Sequence, residues 1–377
     1  MRAIALLLVV SCGACGSSHA GGGGTIEITA SGEALALAGY PFPPQASGDA
    51  AFVDGWEVSF QRFITVFDKV TIAENPDTNP GDQAQTGKVV AELDGPWAVD
   101  LSRGGPIEGK GGADEEALAV GTIDSKSDGS SFDPSVRYAF SYASVAATAG
   151  AKLLNFVADD ADYAEMVSRG WNVLYVGTAT FKGKSCTSTD SSYDFSKLPS
   201  PVTFRLGFAT PASYLNCQNP DNDPAKALGA EEHQRGIHVT NNAQTIAQVT
   251  FHSDHPFWES IVHDSPAHFD QLAALAKQQT DGTWLVTLDD TTAADYTAFT
   301  DQSGKPLPWH ACQDGYVAPN SSPQMGFDSR TLGYNPSGDP SSYLRGYGDF
   351  MVYDQSTQGH LDSDGLCYVQ RHYASPL

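Results

Sequence analysis

At 377 residues, with 41% hydrophobic and 10% aromatic residues, the chain has ample material for a packed core and does not have a disordered composition. Its 45 acidic residues against 21 basic ones give a net charge of -24 at pH 7. Such a chain is repelled by nucleic acid and by anionic lipid headgroups, which excludes nucleic-acid binding and favours cations, basic partners or neutral ligands.

Residues 1–11, MRAIALLLVVS, carry one positive charge and a short apolar run. A bilayer span takes ~20 residues, so this stretch reads as an export signal peptide. It ends at Cys12. Val9-Val10-Ser11-Cys12 resembles the bacterial lipobox, whose cysteine is diacylated after cleavage, and Cys12-Gly13-Ala14-Cys15 offers Cys15 as an alternative register. Neither Gly13 nor Gly16 is the aspartate that resembles an inner-membrane retention signal, which favours the outer membrane. Residues 12–24 end in four glycines and form a flexible tether.

Strand patterning begins at Thr25-Ile26-Glu27-Ile28-Thr29. From Asp54 to Ile72, apolar and polar residues alternate with period two, first as Trp56, Val58 and Phe60 against Glu57, Ser59 and Gln61. Further strands are expected at 89–93, 97–101, 120–123, 136–142, 171–181, 202–208, 244–254, 284–288 and 350–353. A short helix is expected over 162–169, stopped by Gly170. A second should follow Ser265-Pro266, as N-cap and first helical residue, and run to about Ala276. Many short strands, turn-rich loops and few helices predict a mainly β fold, a β-sandwich over 25–377. A second lobe from about residue 217 is the alternative division.

Four cysteines follow the signal: Cys186, Cys217, Cys312 and Cys367. An even number in an exported chain predicts two disulfides, with three possible pairings. Cys186–Cys217 and Cys312–Cys367 are preferred because each closes a loop within one region. No close-spaced cysteine pair in this region supports a thiolate zinc site.

Six of the ten histidines fall between Glu231 and Asp270. The strand over 244–254 should turn Ala247, Val249 and Phe251 to one face, and Gln248, Thr250, His252 and Asp254 to the other. His255 then leaves the strand at Pro256. A strand end, a proline turn and a helix start would bring His252, His255 and His263 together. With a carboxylate from Asp254 or Asp264, that donor set suits zinc or copper. The bland alternative is a histidine-rich surface. His268 reads as a core-edge histidine with one hydrogen bond. His360 with Asp362, Asp364 and Gly365 reads as a turn that could hold a cation.

The segments N-C-Q-N-P-D (Asn216 to Asp221), R-G-I-H-V (Arg235 to Val239), H-S-D-H-P-F-W, H-D-S-P-A-H-F-D and D-G-W-E-V-S-F (from Asp54) resemble an uncharacterised family of exported bacterial lipoproteins with no assigned activity. The resemblance covers most of the mature chain and implies export and anchoring, but no reaction. The expectation is an exported, lipid-anchored, non-catalytic protein that binds zinc or copper through His252, Asp254, His255 and His263. Its partners would be the metal ion and, through the lipid, a bacterial membrane. The alternative is a β-sandwich surface module that binds glycan or protein through Trp97, Trp309, Tyr334, Tyr343 and Tyr347. A metal-dependent hydrolase would need a base such as Glu259 or Asp264, and no hydrolase motif accompanies them.

Overall fold

The computed structural model describes residues 23–46, 48–221, 224–261, 265–295, 298–313, 333–340 and 342–373. The lipidation candidates Cys12 and Cys15, and the ligand candidates His263 and Asp264, lie outside them.

The protein is mainly β, with 35% strand, 14% helix and, among the described residues, five short α-helices. A smaller sheet of five strands runs in the order 365–366, 359–361, 244–251, 25–31, 118–123. At its centre Thr25–Ser31 pairs parallel with Gln244–Phe251, in a register that sets Thr25 against Gln244. The larger sheet is built around the long strand Trp56–Ala73, flanked by Val173–Phe181 on one side and Arg137–Ser144 on the other. Both of these sheets mix strands from before and after Cys217.

The long strand shows how pattern becomes packing. Its alternation holds through Gln61, and from Arg62 to Phe67 both faces are buried. Phe63 and Phe67 enter the main core, whereas Ile64 and Val66 pack with Met166, Tyr163 and Leu174 in a second cluster. The helix Ala161–Arg169 covers that second face, capped by Asp160 and ended by Gly170 in the left-handed conformation. Arg62 fixes the helix electrostatically, meeting Asp100 at 2.8 Å and Asp162 at 3.1 Å. The two sheets meet through aromatic rings. Phe251 of the smaller sheet lies 6.1 Å from Phe67 and 5.9 Å from Tyr142 of the larger one.

Three sequence expectations need correction. Residues 350–353 form part of a helix, Tyr347–Gln355, and not a strand. The β propensity of Phe350-Met351-Val352-Tyr353 is overridden because Phe350 and Met351 are buried together with Tyr347, Asp354 and Gln355, a set that one extended strand face could not bury. The helix expected from Ser265 begins only at Asp270. Ala267 is taken up in bridges to Phe52 and Trp258. Asp54 Oδ2, from a distant segment, then accepts the N–H groups of Phe269 and Asp270, the task assigned to Ser265.

The disulfides are Cys186–Cys312 and Cys217–Cys367, not Cys186–Cys217 and Cys312–Cys367. Each sits beside a strand pairing between remote segments. Thr187 pairs with Ala311 next to the first bond, and Leu215 pairs with Tyr368 next to the second. Tertiary pairing, rather than proximity in sequence, therefore selects the partners.

Candidate metal centre

The site begins with strand alternation. Phe251 points into the core between the sheets, so its neighbour His252 points to the opposite face. Gln244–Phe251 pairs antiparallel with Gly359–Leu361 in a register that sets Thr250 opposite His360. Thr250 and His252 share a face, so His360 is the diagonal neighbour of His252. Their rings stack with centroids 3.9 Å apart. Gly359 makes this register possible, because a Cβ there would meet Tyr214 Cζ at 2.5 Å.

His255 arrives from the turn His255–Phe257, which Pro256 starts. Its ring lies edge-on to both others, with centroids 5.4 Å from His252 and 5.5 Å from His360. One ring nitrogen from each of the three histidines lies within 4.8 Å of the others, a group that could hold a metal ion. All three are buried, His255 and His360 to 1% exposure.

The neighbours fix tautomers. Thr357 Oγ1 donates to the Asp354 carbonyl, and so must accept from His255 Nδ1 at 2.7 Å. His255 therefore carries its lone pair on Nε2, while Trp258 stacks against the ring at 3.8 Å. His252 Nε2 donates to the Ser363 carbonyl at 3.0 Å and faces Glu33 Oε1 at 3.4 Å. Burial works against charge on His252, but Glu33, Asp254 and the Ser363 carbonyl outweigh it and push its pKa up to about 10. A metal binding here must displace that proton. Glu33 and Asp364 form an acidic approach to His252, and both carry more solvent exposure than His255 and His360.

Of the expected ligands, His252 and His255 converge, and the third imidazole is His360. Asp254 is not part of the three-nitrogen group. Burial raises its pKa, the His252 charge lowers it, and its carboxylate also interacts with Trp258, so it stands as a charge partner of His252. Asp362, expected beside His360, turns elsewhere. Its Oδ1 accepts from Gln248 N at 3.0 Å, and burial pushes its pKa up to about 6. Glu33 carried no sequence signal, since only the fold brings it to His252.

A separate buried network surrounds His268 and His310. His268 Nε2 meets Glu259 at 2.7 Å and its Nδ1 lies 3.7 Å from Asp54. Burial opposes the charge, but the two carboxylates push the His268 pKa up to about 9. A raised folded-state pKa gives stability that is fully present below the unfolded value of about 6.5 and lost as pH rises through about 9. The expected loss is on the order of 3 kcal/mol. Urea midpoints measured from pH 6 to 10 should fall across that window in the wild type and fall less in His268→Gln. Parallel profiles would contradict the assignment.

The aromatics expected to form a glycan surface are divided by the fold. Trp97 and Tyr347 are 2% and 4% exposed, and Trp97 packs on Phe67 at 5.4 Å. Among the described residues, no helix is long and apolar enough to cross a membrane. Comparison with known proteins gives no match to a family model, a curated protein or a solved structure.

Proposed function

We propose that the protein is an exported, lipid-anchored binder of a transition-metal ion, zinc or copper, with His252, His255 and His360 as ligands and no assigned reaction. The observation that carries this reading is the convergence of three buried imidazoles from two separate segments, with ring nitrogens within 4.8 Å. Imidazole suits both metals, and burial without a ligand would confer no obvious gain on three such groups. Thr357 orients His255 and Glu33 faces His252, the kind of bracing that ligating histidines receive. The acidic approach and the net charge of -24 favour a cation.

The lipobox-like Val9-Val10-Ser11-Cys12, with Cys15 as the second register, supports export and anchoring, by proposal in the outer membrane. Two disulfides suit an oxidising compartment. The resemblance to exported bacterial lipoproteins supports the same placement.

The test is elemental analysis of the chain from Gly24 onward, purified without a histidine tag. Wild-type protein should hold about one zinc or copper ion, and His252→Ala/His255→Ala should hold none. Metal-free wild-type protein that also takes up neither ion on titration would overturn the proposal and leave the surface-module reading in front.

A further inference from the structure

A second group of donors surrounds the Cys186–Cys312 bond. His310 is 1% exposed, and one of its ring nitrogens lies within 4.8 Å of both sulfurs. Its Nδ1 meets Asp270 Oδ2 at 2.6 Å, and the other Asp270 oxygen accepts from Trp56 Nε1 at 2.8 Å. The ring stacks on Phe195 at 3.6 Å. Neither ring nitrogen completes a hydrogen bond in geometry among the described residues, so Nδ1 is tied to Asp270 as a close ion pair and Nε2 has no such contact. A buried imidazole is thus held by a buried carboxylate through one nitrogen, with the other left for a partner. Such a carboxylate–histidine pair is the usual backing of a metal ligand.

The two cysteines are half-buried, and Cys312 lines a surface cavity of about 460 Å³ with Phe42, Pro44, Lys182 and Lys184. A reductant can therefore reach this bond. The core-side bond differs, because Cys217 is fully buried.

We propose that Cys186, Cys312 and His310 form a redox-gated zinc site that exists only after the disulfide is reduced. The Cys186–Cys312 S–S bond breaks and a dithiol reductant becomes a disulfide. Its two electrons and two protons go to Cys186 and Cys312. Zinc then displaces both thiol protons, and the Nε2 proton that Asp270 favours on His310, to solvent, and is held by two thiolates and His310 Nε2, with a fourth position for water. Asp270 is a positioning residue that fixes the His310 tautomer. Two thiolates and one imidazole are an established zinc donor set.

The test uses cobalt(II) as the zinc probe in the His252→Ala/His255→Ala background, which silences the three-histidine site. A phosphine reductant is added until mass spectrometry shows Cys186 and Cys312 as free thiols. The expected result is a thiolate-to-cobalt charge-transfer band at about one cobalt per chain, seen only after reduction. It should vanish in Cys186→Ser/Cys312→Ser and in His310→Ala. His310→Phe, which keeps a ring against Phe195, guards against a folding defect. Asp270→Asn should weaken cobalt binding by roughly 10–100-fold while leaving the band. Absence of the band in the reduced protein overturns the proposal. So does its survival in both His310 variants, or loss of the native near-ultraviolet circular dichroism on reducing this bond alone.

Discussion

His360→Ala is expected to lower zinc or copper affinity by about 100-fold or more, because it deletes a ligand where loss of an orienting neighbour alone typically costs 10–100-fold. The measurement is a competition titration against a chelator of known affinity, read together with elemental content. The effect should be large because, among the described residues, the group holds three imidazoles. Two remaining nitrogens cannot complete a typical four-coordinate site without recruiting weaker donors. Thr357→Val tests the same geometry from outside. It removes the acceptor for His255 Nδ1, frees the tautomer, and should cost about 10–100-fold without touching the metal. His263→Ala separates the ligand set in the structure from the one that sequence spacing suggests. If metal is lost in His263→Ala and kept in His360→Ala, the three-histidine site is wrong and the spacing was the better guide. A thermal melt of each variant distinguishes lost coordination from lost fold.

Half of this site was legible in the sequence. His252 and His255 lie in one short motif, and the alternation of Ala247, Val249 and Phe251 correctly predicts that His252 leaves the core face. His360 was visible only as part of an acidic turn. Its position depends on the antiparallel register with Thr250, and no local pattern encodes a register between segments so far apart. Glu33 is similar, since it reaches His252 from the residues just after the first strand. Strand positions were legible because period-two patterning is local. The helix Tyr347–Gln355 was not, because its β-prone residues take their conformation from what they bury. That helix also supplies the Asp354 carbonyl which fixes Thr357, and through it His255. A misread local preference therefore hid a support of the site.

The disulfide pairing carries the other large expected effect. Proteolysis without reduction, followed by mass spectrometry, should recover peptides linked through Cys186–Cys312 and through Cys217–Cys367. The pairing of near neighbours should be absent. Cys217 and Cys367 are separated by 150 residues, so their bond closes a long loop in the unfolded chain. By the chain-entropy argument, Cys217→Ala/Cys367→Ala should lose roughly 5 kcal/mol. That is a large share of the 5–15 kcal/mol of stability typical of a domain. Position makes the loss harder to offset. The bond lies beside the Ala212–Leu215 and Tyr368–Arg371 pairing, on an outer part of the larger sheet where the last strand has four residues. Without the bond, that strand is held by a short ladder and by Arg371, whose Nε donates to Ser356 at 2.8 Å. Urea unfolding should therefore show a lower midpoint, with hydrogen exchange rising first in residues 368–371. A midpoint change worth less than about 1 kcal/mol would mean that sheet packing alone secures the edge, and that the entropy of the closed loop is recovered in a compact unfolded state.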